Sequence, residues 1–271
     1  MAWTDRIEVV LRPNELRLNR RSALWPWRSV VEARAFSVVP VSSGEAWRAS
    51  VDRLSTALRE MRPQHAGVDV WLSDHFVRYA LVAWNAGLVG DAERLAFARL
   101  AFREIYGSLA DTWDLCLAEQ PAGEASLAGA IDRALLQALR DTVRGEGARL
   151  RSVSPSLSGR INRHRAALKG ADFCLASVEP GRLTLAFHAD VGWLSVRSRR
   201  LDSSAAEELP AMLKQEAAAG AVAEGGTLYL AGEDTTAIAS LRVSGWRVAR
   251  LAEDVVRPIA VAPLVSAGVA K

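Results

Sequence analysis

Twice along this chain, three short β-rich stretches follow one another before any helical periodicity begins. That recurrence restricts the possible folds more than any other feature of the sequence. In the first set, residues 6–12 (RIEVVLR) and 15–20 read as strands, because large and β-branched apolar residues suit a pleated, half-buried surface. Pro13-Asn14 between them supplies turn chemistry, and Ala35 to Val41 (AFSVVPV) reads as a third strand. In the second set, Phe173–Val178, Arg182–His188 and Gly192–Arg199 succeed one another, with turns at Pro180-Gly181 and Asp190. Each set then runs into helical spacing. Trp47, Val51, Leu54, Leu58 and Met61 recur every three or four residues, with Ser43 as a candidate cap and Pro63 as a stop. After the second set come a helix at about 204–219, a strand Thr227–Ala231, a helix Thr235–Ser244 and a strand Trp246–Leu251.

Between the two sets, residues 68–73 and 76–84 form a strand pair joined near Asp74-His75. The spacing predicts a helix over Asp91–Tyr106, with Leu95, Phe102 and Ile105 inward, and then a strand at Trp113–Leu117. Leu127, Ile131, Leu135, Leu139 and Val143 predict one long helix closed by glycines 145 and 147. A short strand at 149–153 and an arginine-rich helix at 156–168 complete the span. Three antiparallel strands followed by helix, strand, helix, strand is the order of a ribonuclease-H-like unit. Two such units in tandem make an α/β, actin-like architecture: mixed sheets flanked by helices, with a small inserted α/β subdomain. The expected division is 1–169 for the first half, including the insert at about 68–118, and 170–271 for the second half and tail.

Composition removes several other classes. Half of the residues are apolar and 24% are charged, the balance of a folded globular protein. No run approaches the roughly 20 apolar residues that a membrane-spanning helix needs; Ile259–Ala270 is too short and is interrupted by Pro263. The N-terminal residues lack a basic start followed by an apolar core, so no signal peptide is expected. Cys116 and Cys174 make neither a disulfide framework nor a four-ligand zinc site; both are expected in the core, and a reducing cytoplasm is the expected location. The formal charge is only +3, and the lysines are Lys169, Lys214 and Lys271, so the basic residues are nearly all arginine. The arginine runs at 17/20/21, 160/163/165 and 197/199/200 are short, and they read as solvated side chains, not as a nucleic-acid face.

Three stretches carry a resemblance to a known family. VDVWLSDHFVRYALVAW (68–84), SLAGAIDRALLQALRDTVRGEGARLRSVSPSL (126–157) and DFCLASVEPGRLTLAFHADVGWLSVRSRRL (172–201) are similar to segments of the actin-like PilM and GspL proteins. These belong to the assembly platforms of type IV pili and type II secretion systems. GspL continues into a membrane helix and this sequence does not, so the resemblance points to a free-standing PilM-like chain. It implies a cytoplasmic scaffold, peripheral to the inner membrane through its partners. Those partners would be the tail of an inner-membrane platform protein or the assembly ATPase, with a homo-oligomer as a further option. No nucleic acid and no direct membrane insertion are expected.

The resemblance also implies a site for magnesium nucleotide, and here the residues depart from it. Phosphate loops need glycine for close backbone approach and aspartate to organise metal and water. The D-x-G-x-x-x-x-K pattern of the first hairpin falls on Val10 to Arg17: Val10 stands at the aspartate, Arg12 at the glycine, and Arg17 keeps a positive charge at the lysine. In the second hairpin, D-x-G falls on Ser177-Val178-Glu179, where Glu179 brings a repelling carboxylate. The adenosine loop reads Gly232-Glu233-Asp234, with one glycine where the family has two or three. The expectation is a non-catalytic protein with no cofactor. The rival within the same fold is a nucleotide-binding ATPase with an altered site, using Arg17 and Gly225-Gly226.

Other chemistry is thin. No P-loop, H-E-x-x-H, C-x-x-C or G-x-S-x-G motif occurs. A ribonuclease-H-like nuclease would need metal-binding carboxylates on adjacent strands; Glu8 and Asp69 are available, without a third. His75 beside Asp74 reads as a solvent-exposed turn histidine. Candidate partner contacts are Asp74, His75, Phe76, Arg78 and Tyr79, together with Trp25 and Trp27, since aromatic and arginine side chains are enriched where partners dock. The tail Val255–Lys271 is rich in valine and alanine, without an assignable role.

Overall fold

The computed structural model describes residues 5–22, 30–40, 45–168, 172–219, 225–233, 235, 238, 243 and 245–252. The chain divides into two compact units, Met1–Val77 with Ile131–Ser156 and Arg78–Ala130 with Leu157–Lys271.

In the first unit, β1 (Arg6–Leu11) pairs antiparallel with β2 (Glu15–Arg21), from Arg6↔Arg21 to Leu11↔Leu16. β3 (Val30–Ser37) extends the sheet on the far side of β2. β4 (Gly67–Leu72) lies parallel to β1, and β8 (Arg149–Pro155) parallel to β4, so the order is β3-β2-β1-β4-β8. Ile7, Val9 and Leu11 alternate along β1 on one face and are fully buried, as are Leu16 and Leu18 on β2. Helices α1 (Arg48–Met61) and α3 (Arg133–Gly145) pack on each other and on the sheet. They bury Leu54 and Leu58, and Leu135, Leu139 and Val143, the positions that the helical spacing predicts. Each such side chain stabilises the fold by roughly 2 kcal/mol. Ser43, the predicted cap, lies outside the described residues; Arg62 ends α1 in the left-handed region, just before Pro63.

The second unit holds two sheets. β5 (Val77–Val82), β7 (Ser126–Asp132) and β6 (Trp113–Leu117) form a three-stranded sheet with β7 in the middle. Helix α2 (Asp91–Tyr106) covers it, burying Ala98 and Phe102 against Ala80, Val82, Trp113, Ala128 and Ala130. Next along the chain come α4 (Ser156–His164) and then the second meander. β9 (Phe173–Glu179), β10 (Arg182–Ala189) and β11 (Gly192–Arg200) are successive antiparallel strands. After α5 (Ala205–Ala218), β12 (Gly226–Gly232) runs parallel to β9 and β13 (Trp246–Arg250) parallel to β12, giving the order β11-β10-β9-β12-β13. This sheet mirrors the first, with antiparallel strands on one side of the first strand and parallel strands on the other. Ser204 caps α5 by accepting from the Glu207 N–H, and α5 buries Leu209, Met212 and Leu213 on Cys174, Ala176, Leu185 and Leu228. The helix predicted at Thr235–Ser244 falls mostly outside the described residues.

Several expectations shift. Residues 127–132 are strand, not helix. A spacing of four repeats on one face of a helix and also, being even, on one face of a strand, so Leu127-x3-Ile131-x3-Leu135 does not distinguish them. The third strand starts at Val30 instead of Ala35, because pairing with β2 sets its register, and an edge strand tolerates Glu32 and Arg34. Ile105 is 56% exposed instead of inward.

The expected division at 169/170 also differs from the observed units. β4, expected to pair with β5 in the insert, lies in the first sheet, whereas Arg78–Ala130 and α4 group with the second set of strands. The side chain of Glu124, just before β7, lies against Gly192, and Arg160 of α4 is bonded to β9. Among the described residues, no helix is long and apolar enough to cross a membrane.

Candidate functional site

The two hairpins that open the sheets are where the phosphate-loop patterns fall in the sequence. At the first, Val10 faces Arg17 across the β1–β2 ladder. The Arg12 N–H donates to the Glu15 carbonyl at 2.9 Å, closing the turn around Pro13-Asn14. The Arg12 guanidinium is buried and pairs with Glu15 at 3.1 Å; Glu15 also receives Arg17 Nε at 2.7 Å. Ser50, at the start of α1, donates its hydroxyl to the Arg12 carbonyl at 2.7 Å. A large cationic side chain therefore fills the place where a phosphate loop has a bare backbone. Arg17, the positive charge at the lysine position, is engaged by a carboxylate of its own hairpin.

At the second hairpin, Ser177 and Glu179 sit at the end of β9 and are almost fully buried. Both meet Arg160 from α4, itself 6% exposed: Nη1 donates to Ser177 Oγ at 2.5 Å and pairs with Glu179 Oε1 at 3.4 Å. Beside them, Gly232 has φ +115°, and a Cβ there would lie 2.0 Å from the Val178 carbonyl oxygen. Only glycine lets β12 close on β9 at this point, and the Glu233 N–H then donates to the same carbonyl at 3.1 Å. The single glycine of the presumed adenosine loop is thus required by strand packing. Gly225 and Gly226 stand at the opposite end of β12, where a Cβ on Gly226 would meet the Asp172 carbonyl at 2.8 Å.

Sequence reasoning missed Arg160, which it grouped with solvated arginines. The available signal was its spacing of three from Leu157: both are on the buried face of α4. Arg21 also departs from the solvated reading, being buried in an ion pair with Glu8 at 3.2 Å. Other arginines of the runs are engaged too: Arg20 with Asp5, Arg197 with Glu216 and Arg199 with Glu208.

Glu8 and Asp69 do lie opposite each other in the β1–β4 register. Glu8 is taken by Arg21, and Asp69 accepts from Ser152 at 2.7 Å. Among the described residues, no group of three or more histidine, cysteine or acidic side chains is placed to hold a metal. Cys174 is fully buried, as expected. Cys116 is only partly so, yet burial of its sulfur pushes the thiol pKa up to about 11.

The segment 73–79 is more enclosed than a docking loop should be. Asp74, Phe76 and Tyr79 are buried, which removes them as surface contacts; His75 and Arg78 keep partial exposure. The His75 N–H is held by Ser73 Oγ at 3.2 Å, and the Tyr79 carbonyl accepts from Tyr106 at 3.2 Å. Trp25 and Trp27 lie outside the described residues.

No family model and no curated protein sequence matches this chain. Solved structures do. The PilM–PilN type IV pilus biogenesis complex contains a chain that superposes with a TM-score of 0.67 at 15% identity, over 92% of this chain and 89% of that one. A Bacteroides thetaiotaomicron protein of unknown function with an actin-like ATPase fold gives 0.57 at 12% identity, over 87% and 86%. The fold is actin-like. The cytoplasmic domain of EpsL, an inner-membrane component of the Vibrio cholerae type II secretion system, gives 0.53 at 13% identity, over 91% and 86%. The likeness to the PilM and GspL type of actin-like protein, first seen in three sequence segments, thus extends over most of the chain.

Proposed function

We propose that this protein is a non-catalytic, actin-like scaffold in the cytoplasmic platform of a type IV pilus or type II secretion machine. It acts by docking other proteins, and it sits at the inner membrane through those partners. The observation that carries the reading is Arg160: the side chains at the second nucleotide-loop position are buried against a guanidinium of the same unit. The first hairpin supports it, with Arg12 filling the turn and Arg17 engaged by Glu15. The fold likeness to a PilM–PilN complex and to EpsL supplies the kind of partner: the tail of an inner-membrane platform protein, or the assembly ATPase. The contacts assigned to the partner are His75, Arg78, Trp25 and Trp27.

The test is a calorimetric titration of the protein with magnesium and ATP, followed by titration with peptides from the cytoplasmic tails of candidate platform proteins. No heat with nucleotide and saturable heat with a tail are expected. One-to-one binding of magnesium-ATP would falsify the non-catalytic reading and reinstate the altered-site ATPase. Alanine at Trp25 and Trp27 is expected to weaken tail binding; unchanged binding removes that loop from the interface.

A further inference from the structure

β3 (Val30–Ser37) is the outer strand of the first sheet, and among the described residues no strand lies on its far side. All of its side chains are exposed or half-buried, and Val30 and Val31 are among the exposed large apolar residues. The direction of its free backbone groups follows from the ladder. The Val38 N–H donates to the Asn14 carbonyl at 2.9 Å, and the β2–β3 register continues that pairing through Leu16↔Phe36, Leu18↔Arg34 and Arg20↔Glu32. Hydrogen-bonded pairs alternate in an antiparallel ladder, so these even-numbered residues turn their N–H and C=O groups towards β2. Those of Ala33 and Ala35 point out of the sheet, where a further strand would pair.

An exposed edge recruits other chains, and charged residues ordinarily oppose this. On β3 the charges are Glu32 and Arg34, one residue to either side of Ala33. They lie on the face that carries α1: Arg34 donates to Glu32 at 2.6 Å and to Glu60 of α1 at 2.8 Å. Arg53 of α1 stacks on Phe36 of the same face, 4.0 Å from the ring centroid. A two-fold axis through Ala33 sets an antiparallel copy of the strand with Ala33 opposite Ala33. Glu32 then faces the partner's Arg34, and Arg34 faces the partner's Glu32. Both are non-hydrogen-bonded positions, where cross-strand side chains come closest. The side chain at the axis is a methyl group, so nothing bulky holds the strands apart. Axes at Glu32 or Arg34 would instead set like charges opposite each other, and axes at Val31 or Ala35 would leave Glu32 facing a valine.

We propose that β3 is a self-recognition edge through which two copies of this chain join their first sheets, in the register fixed by Glu32 and Arg34. This goes beyond the docking of a platform partner and uses a different surface. The contact is short, so the dimer is weak and depends on concentration.

Sedimentation equilibrium of the full chain, from micromolar to submillimolar concentration, tests it. The wild type is expected to pass from monomer to dimer. Glu32→Arg and Arg34→Glu are each expected to weaken that association at least about tenfold, because the two-fold turns one substitution into two like-charge pairs. An equimolar mixture of the two variants is expected to dimerise, since each then meets the opposite charge at both positions. A wild type that stays monomeric over the whole range, variants that dimerise like the wild type, or a mixture no better than its components overturns the proposal. If either charge variant fails to fold in a thermal melt, Ala33→Pro decides: it removes an N–H that points away from β2 and leaves the β2–β3 ladder intact. Its expected state is monomer, and a dimer overturns the edge. Binding of magnesium-ATP by the wild-type protein would defeat the scaffold reading and leave these outcomes unaffected.

Discussion

The two opening hairpins occupy equivalent places in two similar sheets, and they are closed in opposite ways. The β1–β2 hairpin is closed from within: Arg12, Glu15 and Arg17 are sequence neighbours, and Glu15 and Arg17 are partly open to water. The β9–β10 hairpin is closed from outside, by an arginine 17 and 19 residues away from its two partners, with all three side chains buried. A local, solvated pair is screened by water and salt and contributes little. A buried pair does not add much net stability either, since desolvation offsets its attraction, but it is costly to break because the survivor is stranded. The same change of residue type at topologically matching places should therefore have unequal effects.

The largest effect is expected at Glu179. Glu179→Ala should cost about 3 kcal/mol in urea unfolding, because it takes a buried carboxylate away from the buried Arg160 guanidinium. A cost near that of a surface pair would erase the contrast between the hairpins. Gly232→Ala comes next, at about 3 kcal/mol, since it adds a Cβ against the Val178 carbonyl at a positive φ; a thermal melt matching wild type would show that β12 can move away. Glu15→Ala, the counterpart change in the first hairpin, should cost less, about 2 kcal/mol, because Glu15 is open to water although it also pairs with the buried Arg12. Part of that cost should disappear in 1 M salt, and salt-insensitivity would place the first hairpin in the same class as the second.

The smallest effect concerns pH and lies at the far end of β10. His188 stacks on Phe173 with ring centroids 4.9 Å apart and meets the edge of Trp193 at 5.0 Å. Burial holds its pKa below the ordinary value, only partly offset by Glu124, Asp172 and Asp190. With the folded pKa lowered, the unfolded chain binds the proton more readily. The stabilising contribution is complete above the unfolded value of about 6.5 and declines as pH falls below it. His188→Phe should flatten that decline in unfolding measured between pH 7.5 and 5; an unchanged slope would assign it to other groups.

Much of the fold was legible because it rests on local periodicity. The apolar alternation of β1 and the spacing of α1 follow from burial on one face of a sheet or helix, and a single sequence displays both. Where two periods coincide, as at Leu127 and Ile131, the sequence could not separate strand from helix. The site was legible in part. The absence of D-x-G at both hairpins is written in the residues, whereas what fills those places is not. Glu179 looked like a charge that repels phosphate; its partner is a surface-looking arginine on another element. Asp74, Phe76 and Tyr79 looked like a loop for docking and proved to be enclosed.

By itself, the sequence determined the tandem order of strands and helices, the fold class that follows from that order, and the departure from the D-x-G pattern at Val10, Arg12, Ser177 and Glu179. These are properties of neighbouring residues, governed by propensity, periodicity and side-chain type. Tertiary structure alone decided which unit Arg78–Ala130 and α4 belong to, that Gly232 serves strand packing, and that Arg160 lies against Glu179. Those outcomes depend on burial and on distances between residues far apart in the chain. A charge reads the same in sequence whether it is bathed in water or sealed against its opposite, and only packing sets which energy applies.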